Sequence, residues 1–506
     1  MKKHRKTNPR ILVVTPEITS LPVGMNNMGG YLRAKAGGLA DVSASLVAAL
    51  FRQGADVHVA LPHYRKMFHI DVGNLINNEL QRYMSNLHNS RIHLAEDRIF
   101  YYCNSVYSNY ASDMFLQALA FQREVINNII PVVKPDLIHC NDWMTGLIPA
   151  AARRLGIPCL FTVHNVHTQK LTLAEIEDRG IDAAPFWQNL FYESPPYNYE
   201  ECRANNPVDF LVSGIFAAHF INTVSPTFLR EIVDGRHDFV PENVHREIAG
   251  KFYAGCASGI LNSPDSECDP GCDKFLEACY DSTNHVTAKA VNKIAFQART
   301  GLRVDQSVPL FFWPHRLDPV QKGCSLLSDQ LYDTVNRYWD SGIQIALVAN
   351  GPYQNIFKEI IAHHGFYDRV TVCDFDEELS HLGFAASDFM LMPSRFEPCG
   401  LPQMTCQYYG SLPIVHDTGG LHDTVESLSE DGSCGNGFIF ANYDHGGLRW
   451  GIDEAMRFFK KPAEWKANVI ARIMREARIK FNHDVTAQEY IKIYEQMLAR
   501  PLVVQQ

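Results

Sequence analysis

Short apolar runs alternate with helical patterns along both halves of the chain. Each run ends in Gly, Pro, Asn or Asp and precedes a stretch of helical periodicity, which is typical of βα units in a parallel sheet. The predicted strands are ILVVTP, ADVHVALP, DLIHCND, PCLFTVHN and FINTVSP in the first half, and PLFFWPH, QIALVANG, VTVCDFD, FMLMPS and LPIVHDTGG in the second. The pattern therefore predicts an α/β protein with two doubly wound parallel sheets.

The regular periodicity lapses in the middle of the chain, over the Gly, Pro, Ser and Asp-rich residues 258–271. A chain of 506 residues exceeds what one hydrophobic core usually supports, so we expect two domains with a cleft between them. The predicted boundaries are residues 1–260 for the first domain and 261–485 for the second. Residues 486–506 continue a helical pattern, and we expect this last helix to pack back on the first domain.

Composition and charge narrow the function classes. The chain is 46% hydrophobic and 20% charged, which is ordinary for a soluble enzyme. Its net charge of -10 comes from dispersed acids, and its basic block is confined to the first ten residues, which argues against nucleic-acid binding. We see no secretion signal and no apolar stretch of about 18 residues that could span a membrane. We expect a cytoplasmic protein, and a neutral polysaccharide partner is compatible with this charge.

The thirteen cysteines mostly lie in apolar or strand-like surroundings, the pattern of reduced cytosolic thiols. Cys256, Cys268, Cys272 and Cys279 crowd one loop-like region. A zinc site normally shows two short CxxC-like pairs, which this region lacks. We therefore expect surface cysteines here, and no metal.

The first motif that could carry chemistry is KAGGLAD, residues 35–41, at the start of a predicted helix. Gly37 and Gly38 let the backbone approach a ligand, and a helix N-terminus offers free N–H groups to an anion. Lys35 adds a mobile positive charge. The alternative is a glycine turn beside a solvated lysine.

The second motif is HRLDPVQKG, residues 315–323, just beyond a predicted strand. Arg316 and Lys322 could together neutralise a leaving diphosphate, the arginine through a bidentate fork and the lysine as a point charge. No metal would then be needed. The alternative is a basic loop paired with surface acids.

The third motif is MPSRFEPCGLPQM, residues 392–404, another junction of strand and helix. A carboxylate at Glu397 can bind sugar hydroxyls or support positive charge at an anomeric carbon, and the amides of the turn Cys399 to Leu401, with Gly400 between them, can point at a ligand. Glu397 could instead be a first-turn acid on a helix dipole. Residues 412–425 repeat the arrangement of strand, glycine turn and helix.

Histidines and acids at other strand ends are weaker signals. His164 follows the predicted strand in TVHN, and Asp142 follows the one in CNDW. Either could be a satisfied core or loop residue. Their position beyond the carboxyl ends of strands, where ligands of such sheets bind, makes them candidates.

These motifs, in this order, resemble the bacterial glycogen synthase and plant starch synthase family of ADP-glucose type. The resemblance spans nearly the whole chain, and the segment from PSRFEPCGL to GGLHDTV is its most specific part. It implies a GT-B fold of two Rossmann-like domains with an interdomain cleft. It also implies transfer of glucose from ADP-glucose to the non-reducing 4-hydroxyl of an α-1,4-glucan, with retention and without a cofactor or metal.

The resemblance also implies roles for single residues. Glu397, His164, Arg316 and Lys322 would be catalytic, with Arg316 and Lys322 holding the phosphates. The implied substrate contacts are Lys35, Gly37, Gly38, Asn165, Asn262, Phe375, Cys399, Gly400, Leu401, Thr418, Gly419 and Gly420. Phe375 would stack on the donor base, which could be adenine or uracil, and Asp41 and Asp142 would support the site.

Several positions depart from the family pattern. One extra residue separates Arg316 from Lys322, so Lys322 needs a bulged loop to reach the phosphates. Pro402 stands where the family commonly has threonine, His416 replaces an arginine, and an insertion over residues 23–34 precedes Lys35. Two alternatives therefore stay open: a related glycosyltransferase that uses UDP-glucose, another nucleotide sugar or a small acceptor, and an inactive glucan-binding paralogue.

Overall fold

The structure is a computed structural model that describes residues 8–22, 24–25, 32–68, 91–107, 111–265 and 267–503. The chain forms two compact units. Unit 1 consists of Met1–Val224, Leu229–Ile260 and His483–Gln506, and unit 2 of Ser225–Phe228 and Leu261–Asn482. The division after residue 260 falls inside the Gly- and Pro-rich stretch, and the last helix belongs to unit 1.

The strands described in unit 1 are β1 (Arg10–Val14), β2 (Asp56–Pro62), β3 (Ile92–Ala95), β4 (Leu137–Asn141), β5 (Cys159–Val163), β6 (Lys170–Leu171), β7 (Val208–Asp209), β8 (Phe220–Thr223) and β9 (Ala257–Gly259). Seven of them form a parallel sheet in the order β3-β2-β1-β4-β5-β8-β9. The short strands β6 and β7 pair with each other in antiparallel fashion.

The α-helices described in unit 1 are α1 (Gly38–Arg52), α2 (Arg98–Tyr101), α3 (Ala111–Glu124), α4 (Ile130–Val133), α5 (Ile148–Arg154), α6 (Leu173–Glu177), α7 (Tyr199–Asn205), α8 (Phe210–Ala217), α9 (Pro226–Val233), α10 (Glu242–Tyr253) and, at the end of the chain, α19 (His483–Leu498). The first residues of α9 belong to unit 2. A π-helical turn, Val125–Ile129, joins α3 to α4.

The strands described in unit 2 are β10 (Leu310–Trp313), β11 (Gln344–Val348), β12 (Val370–Cys373), β13 (Phe389–Met392), β14 (Leu412–His416) and β15 (Phe438–Phe440). Its α-helices are α11 (His285–Thr300), α12 (Cys324–Arg337), α13 (Gln354–His364), α14 (Glu377–Ala386), α15 (Pro402–Tyr408), α16 (Gly419–Thr424), α17 (His445–Phe459) and α18 (Ala463–Lys480). The sheet is parallel, in the order β12-β11-β10-β13-β14-β15.

Both sheets have the strand order of a dinucleotide-binding fold. Counted within its own unit, each begins 3-2-1-4-5, so the order reverses between the first and fourth strands. Parallel strands covered on both faces by helices read as nearly continuous apolar runs, which is why β1, β4 and β10 are buried along almost their whole length. Ligands of such sheets bind beyond the carboxyl ends of the strands at this switch point.

The predicted fold class is confirmed, and all ten predicted strands are present. The sequence pattern missed β3, β9 and β15, which have only three or four residues each and lie at or near sheet edges. Edge strands bury less apolar surface and leave a weaker periodic signal. The two-residue pair β6 and β7 is too short to produce any pattern.

The last helix is joined to the core of unit 1 by buried tyrosines. The Tyr494 hydroxyl lies 2.8 Å from Nδ1 of His139 on β4, and the Asn222 side chain on β8 donates to the Tyr490 hydroxyl at 3.0 Å. Both tyrosine rings are buried. Because an unpaired polar group would be costly in this interior, these bonds fix how α19 packs on its own unit.

Three further features bear on the sequence-based expectations. None of the helices in the described ranges is long and apolar enough to cross a membrane. All thirteen cysteines are free thiols, including Cys256, Cys268, Cys272 and Cys279. Within the described residues, no group of three or more His, Cys, Asp or Glu side chains is placed to hold a metal ion.

Candidate active site

Polar side chains follow the carboxyl ends of the strands that flank the switch point of unit 1. Glu17 comes shortly after β1, Asp142 directly after β4, and His164 directly after β5. Strand order places β1 beside β4 and β4 beside β5, so the topology brings these three residues together. They form the candidate site of unit 1.

Asp142 has a strained backbone and connects two strand ends. Its φ of 57° and ψ of 178° lie in a region that a residue with a side chain rarely adopts. One carboxylate oxygen accepts the His164 amide at 2.8 Å, and the other accepts the Asn165 side chain at 2.9 Å. Burial raises the pKa of Asp142 to about 7, against the lowering effect of these donors. Asp142 therefore positions His164 and Asn165.

His164 is held as a neutral imidazole. Its Nε2 lies 3.0 Å from Oδ1 of Asn141, whose own amide donates to the Val14 carbonyl. Asn141 Oδ1 must therefore accept, which places the imidazole hydrogen on Nε2. Burial lowers the pKa of His164 to about 3. Nδ1 is left to accept a hydrogen bond, for example from a sugar hydroxyl.

The glycine turn before α1 binds a carboxylate of its own chain. The amides of Ala36 and Gly37 donate to one oxygen of Glu17, at 2.6 and 3.0 Å. The Gly37 amide is thus paired with Glu17 in this structure, and its contact with an anion stays a prediction. The amide of Gly38, at the first position of α1, has no acceptor within the described residues. Most of the insertion over residues 23–34 lies outside those residues.

Lys35 is exposed at the mouth of this turn and forms an ion pair with Asp41. Its ammonium lies 2.9 Å from the Asp41 carboxylate, which is buried in the first turn of α1. The ion pair fixes the direction of a long, flexible side chain. Asp41 therefore supports Lys35 directly.

Glu17 is a second acid, beside Asp142, whose pKa is strongly raised. It is 2% exposed, and burial raises its pKa to about 7 although two amides and the Tyr107 hydroxyl stabilise its charged form. The neighbouring charge of Asp41 raises the pKa further. Acids with strongly raised pKa values cluster at functional sites, which makes Glu17 a candidate.

In unit 2 the centre of the candidate site is a buried ion pair. The Lys322 ammonium lies 2.5 Å from Oε2 of Glu397, and both residues are less than a tenth exposed. Ser394, at the end of β13, donates from its hydroxyl to the same carboxylate oxygen at 3.2 Å. The pair follows β10 and β13, the two strands that flank this unit's switch point.

Two loops pack closely to form this pair. The Arg395 amide donates to the Gln321 carbonyl at 2.8 Å, so the loops after β10 and β13 are bonded to each other. Asp318 accepts the amides of Val320 and Gln321, which closes the turn that accommodates the extra residue before Lys322. Gly323 has φ +75°, and a Cβ there would lie 2.0 Å from the Pro393 carbonyl oxygen. Only glycine fits this approach.

The turn after Glu397 presents unpaired amides. Within the described residues, the N–H groups of Cys399, Gly400 and Leu401 have no acceptor, and they precede the first turn of α15. Asn262 lies against the Cys399 thiol and is 8% exposed. Its side-chain oxygen has no hydrogen-bond partner among the described residues. Buried polar groups without partners are rare, so this arrangement indicates a polar ligand.

The glycines after Thr418 pack closely on the backbone of Glu397. Gly419 has φ +44°, and a Cβ there would lie 2.0 Å from the Glu397 carbonyl oxygen. The Gly420 amide donates to that same carbonyl at 3.0 Å. We predicted that Thr418, Gly419 and Gly420 contact the substrate. Both glycines hold the backbone of Glu397 in place, and the contact of these three residues with the substrate stays a prediction.

Arg316 and Phe375 are both exposed beyond strand ends of unit 2. The Arg316 guanidinium has no hydrogen bond or ion pair among the described residues, so it differs from the surface pairs of our alternative interpretation. Phe375 is 57% exposed, and its amide is fixed by the Asn350 side chain at 2.9 Å. A free cation and an exposed ring can bind a phosphate and a base.

The departures from the family pattern fit this geometry. Lys322 does reach the site, because of the Asp318 turn. Pro402 is the first residue of α15, a position where its missing N–H costs nothing. Nδ1 of His416 lies 2.9 Å from the Ser394 carbonyl, and the ring packs beside Tyr443. None of these three departures, the extra residue before Lys322, Pro402 and His416, disrupts the Lys322–Glu397 pair.

The chain is similar to known proteins along its whole length. A sequence profile of the starch synthase catalytic domain matches residues 10–246, and one of glycosyl transferases group 1 matches residues 297–472. A glycogen synthase of Kosmotoga olearia is 31% identical over 494 residues, covering 92% of this chain and 96% of the relative. That of Bacillus subtilis is 30% identical over 492 residues, covering 92% and 95%. The chain belongs to the glycogen and starch synthase family.

Solved structures agree with this family assignment. The catalytic domain of starch synthase IV from Arabidopsis thaliana, bound to ADP and acarbose, has a TM-score of 0.77 and 26% identity. The similarity covers 98% of this chain and 100% of that one. A sucrose-phosphate synthase from Thermosynechococcus elongatus, at 16% identity and a TM-score of 0.56, shares the fold. The chain is thus a glycosyltransferase of the GT-B class.

Four residues that help to build the candidate sites were given no role from the sequence. Glu17, Asn141 and Ser394 contact predicted site residues, and Tyr107 contacts Glu17. Glu17 and Ser394 had a usable signal, since each is a polar residue just beyond a strand. Tyr107 lies far from any strand end, and only the tertiary fold brings it to Glu17.

Replacing Glu17 with glutamine should change stability in a pH-dependent way. The folded protein keeps the proton to about pH 7, whereas a carboxyl in an unfolded chain loses it near pH 4.5. The native state binds more protons in between, so this group's contribution to stability falls as pH rises through that range. E17Q should raise the free energy of unfolding by about 1–3 kcal/mol at pH 8 and change it little at pH 5.

Urea unfolding at both pH values measures this difference. The exposed Glu430, changed to glutamine, provides the matched control and should show no such dependence. An equal effect of E17Q at pH 5 and pH 8 would show that Glu17 is not protonated near neutrality.

Breaking the buried pair should cost more than removing it. The variant K322M leaves an uncompensated buried carboxylate and should lower the free energy of unfolding by about 3–5 kcal/mol. The double variant K322M/E397Q should recover most of that loss. A control, K492M, breaks the exposed pair of Lys492 with Glu489 and should cost less than about 1 kcal/mol. Urea titrations of the four proteins test this, and a double variant no more stable than K322M would refute the pairing.

Proposed function

We propose that this protein transfers glucose from ADP-glucose to the non-reducing 4-hydroxyl of an α-1,4-glucan, with retention of configuration. The observation that carries the proposal is the buried Lys322–Glu397 pair beside the unpaired amides of Cys399, Gly400 and Leu401. A similar starch synthase was solved with ADP and acarbose, which supports an adenosine diphosphate donor and a glucan acceptor.

Departure of ADP is the step that needs positive charge. As the bond between the anomeric carbon and the phosphate oxygen breaks, negative charge builds up on the diphosphate. Lys322 and the exposed Arg316 supply two cations, and the amides after Glu397 supply hydrogen bonds. The Arg316 guanidinium and these amides have no partner among the described residues, so Lys322, which is paired with Glu397, is the group that must change partner when a diphosphate binds.

The glucosyl group becomes an oxocarbenium-like cation as this bond breaks. The Glu397 carboxylate stabilises that positive charge, and the neutral His164 accepts a hydrogen bond from a glucose hydroxyl at Nδ1. Asn165, oriented by Asp142, supplies a further amide to the sugar. The protein's part is positioning and charge stabilisation rather than covalent catalysis.

Retention follows if the acceptor approaches from the face that ADP leaves. The acceptor's 4-hydroxyl oxygen forms the new bond to the anomeric carbon, and its proton passes to an oxygen of the departing phosphate. Atoms and charge then balance without a protein nucleophile or a metal. Phe375 stacks on the nucleotide base, a contact that suits adenine and uracil alike.

Two of the positions that depart from the family pattern motivate a second candidate. Pro402 and His416 lie beside the turn that we assign to the diphosphate and glucose, and both alter hydrogen-bonding groups there. A different donor sugar or base would be recognised at this place. This second candidate keeps the reaction type and changes the donor.

A transfer assay separates these functions. Purified full-length protein is incubated with glycogen and either ADP-glucose or UDP-glucose, and incorporated glucose is measured. We expect incorporation from ADP-glucose, with the new linkages sensitive to an α-1,4-specific glucosidase and α-configured by NMR. Incorporation from UDP-glucose alone would favour the second candidate.

The matched control in this assay is E397Q, which should lower turnover by orders of magnitude. Incorporation from neither donor, with protein that unfolds cooperatively, would contradict the proposed function and favour the inactive glucan-binding paralogue.

A further inference from the structure

A cluster of aromatic rings lies at the edge of unit 2 far from the candidate active site. It consists of Tyr332 on α12, Trp339 in a 3-10 turn, His364 at the end of α13 and Phe366 just after it. We refer to these four residues as the aromatic patch. None of them belongs to the set that we assign to glucose transfer.

The patch lies at the amino-terminal edge of the sheet. Trp339 comes five residues before β11 begins, and Phe366 four residues before β12 begins. The active-site residues Arg316, Phe375 and Glu397 follow the opposite, carboxyl ends of strands in the same sheet. A strand of four or five residues spans about 13–17 Å, so the patch is separate from the active site.

Phe366 forms the base on which the other rings rest. It is 3% exposed, and its ring centroid lies 5.4 Å from that of His364 and 6.2 Å from those of Tyr332 and Trp339. Tyr332 and His364 also contact each other, at 4.3 Å. The exposed rings are therefore held in fixed positions rather than free to rotate.

Trp339 is fixed from beneath. The guanidinium of Arg369 lies 4.6 Å from the centre of the indole ring, and its Nη1 donates to the Trp339 carbonyl at 3.3 Å. Arg369 is 8% exposed, while Trp339 is 43% exposed and Tyr332 48%. Arginine covers the inner face of the indole, which leaves its outer face to solvent.

We propose that the aromatic patch is a second binding site for α-glucan chains, distinct from the site of glucose transfer. The choice of ligand rests on the proposed function, because the acceptor there is an α-glucan. The C–H groups on a pyranose face carry slight positive charge and are attracted to the negative face of an aromatic ring. Rigid, flat, solvent-facing rings are suited to this contact.

The size of the patch favours a sugar chain over a protein partner. Aromatic side chains present about 150–250 Å² each, so two half-exposed rings and His364 offer about 200–300 Å². A stable protein interface needs about 800 Å² on each partner. A few glucose units need far less contact area than a protein partner does. A polymer that is held at one point is also presented to the active site at a raised local concentration.

Electrophoresis through native gels with and without glycogen tests the proposal on the full-length protein. The variants are Y332A, W339A and their double variant. The matched control is W450A, an indole that is 42% exposed on α17. We expect each patch variant to weaken retardation by glycogen about fivefold, the double variant more, and W450A not at all.

Kinetics with two acceptors provide a second readout. With glycogen, the patch variants should raise KM several-fold and leave kcat unchanged. With a short maltooligosaccharide, which occupies one site at a time, both constants should stay at the native value. If W339A fails to fold, Y332A alone tests the proposal. Tyr332 lies on a helix surface, and replacing it leaves the contact between Arg369 and Trp339 intact.

The outcomes separate this proposal from the proposed function. If glycogen retards the folded double variant as strongly as the native protein, the proposed glucan site is overturned, whether or not the protein transfers glucose. Lost retardation supports it, even if the transfer assay fails. A native protein that glycogen does not retard overturns it. A concentration-dependent dimer by gel filtration that the double variant abolishes also overturns it, since a second copy is then the occupant.

Discussion

The candidate active site depends on the burial of one opposite-charge pair, Lys322 and Glu397. Removing two charges from water is costly, and their attraction offsets that cost only when geometry is close and the remaining hydrogen-bonding groups are satisfied. Here the 2.5 Å contact and the Ser394 hydroxyl provide these conditions. The loops after β10 and β13, the glycine contacts that crowd them and the turn at Asp318 all serve to bring these two side chains together.

The same pair determines which groups of the site are already bonded and which are left to bind a ligand. Lys322 has Glu397 as its partner, while the amides of Cys399, Gly400 and Leu401 have none among the described residues. A diphosphate would bring charge for the lysine and acceptors for the amides, leaving Glu397 to face a cationic sugar. In unit 1 the chain's own acids likewise pair with the candidate ligand contacts. Glu17 accepts hydrogen bonds from the amides before α1, and Asp41 forms an ion pair with Lys35.

Much of this was predictable from the sequence, for identifiable reasons. Apolar runs ending in polar residues indicated both sheets, and parallel topology then places such ends at one edge. That reasoning made Asp142, His164, Glu397 and Arg316 candidates, and the structure places each of them beyond a strand end. It could not show that Gly37 donates to Glu17, or that Gly419 packs on the backbone of Glu397. Those contacts join segments distant in sequence, and both glycines look alike in a sequence motif whether they bind a ligand or a neighbouring loop. The aromatic patch was missed for the same reason, because its rings come from three separate elements.

The central claim is that Glu397 competes with the diphosphate for Lys322 and acts on the sugar rather than on the nucleotide. Calorimetric titration of ADP, with UDP in parallel, into the native protein and E397Q tests this most directly. The account predicts that E397Q binds the nucleoside diphosphate at least as tightly as the native protein, although its turnover is lower by orders of magnitude. A folded E397Q that loses nucleotide affinity in proportion to its turnover would contradict it.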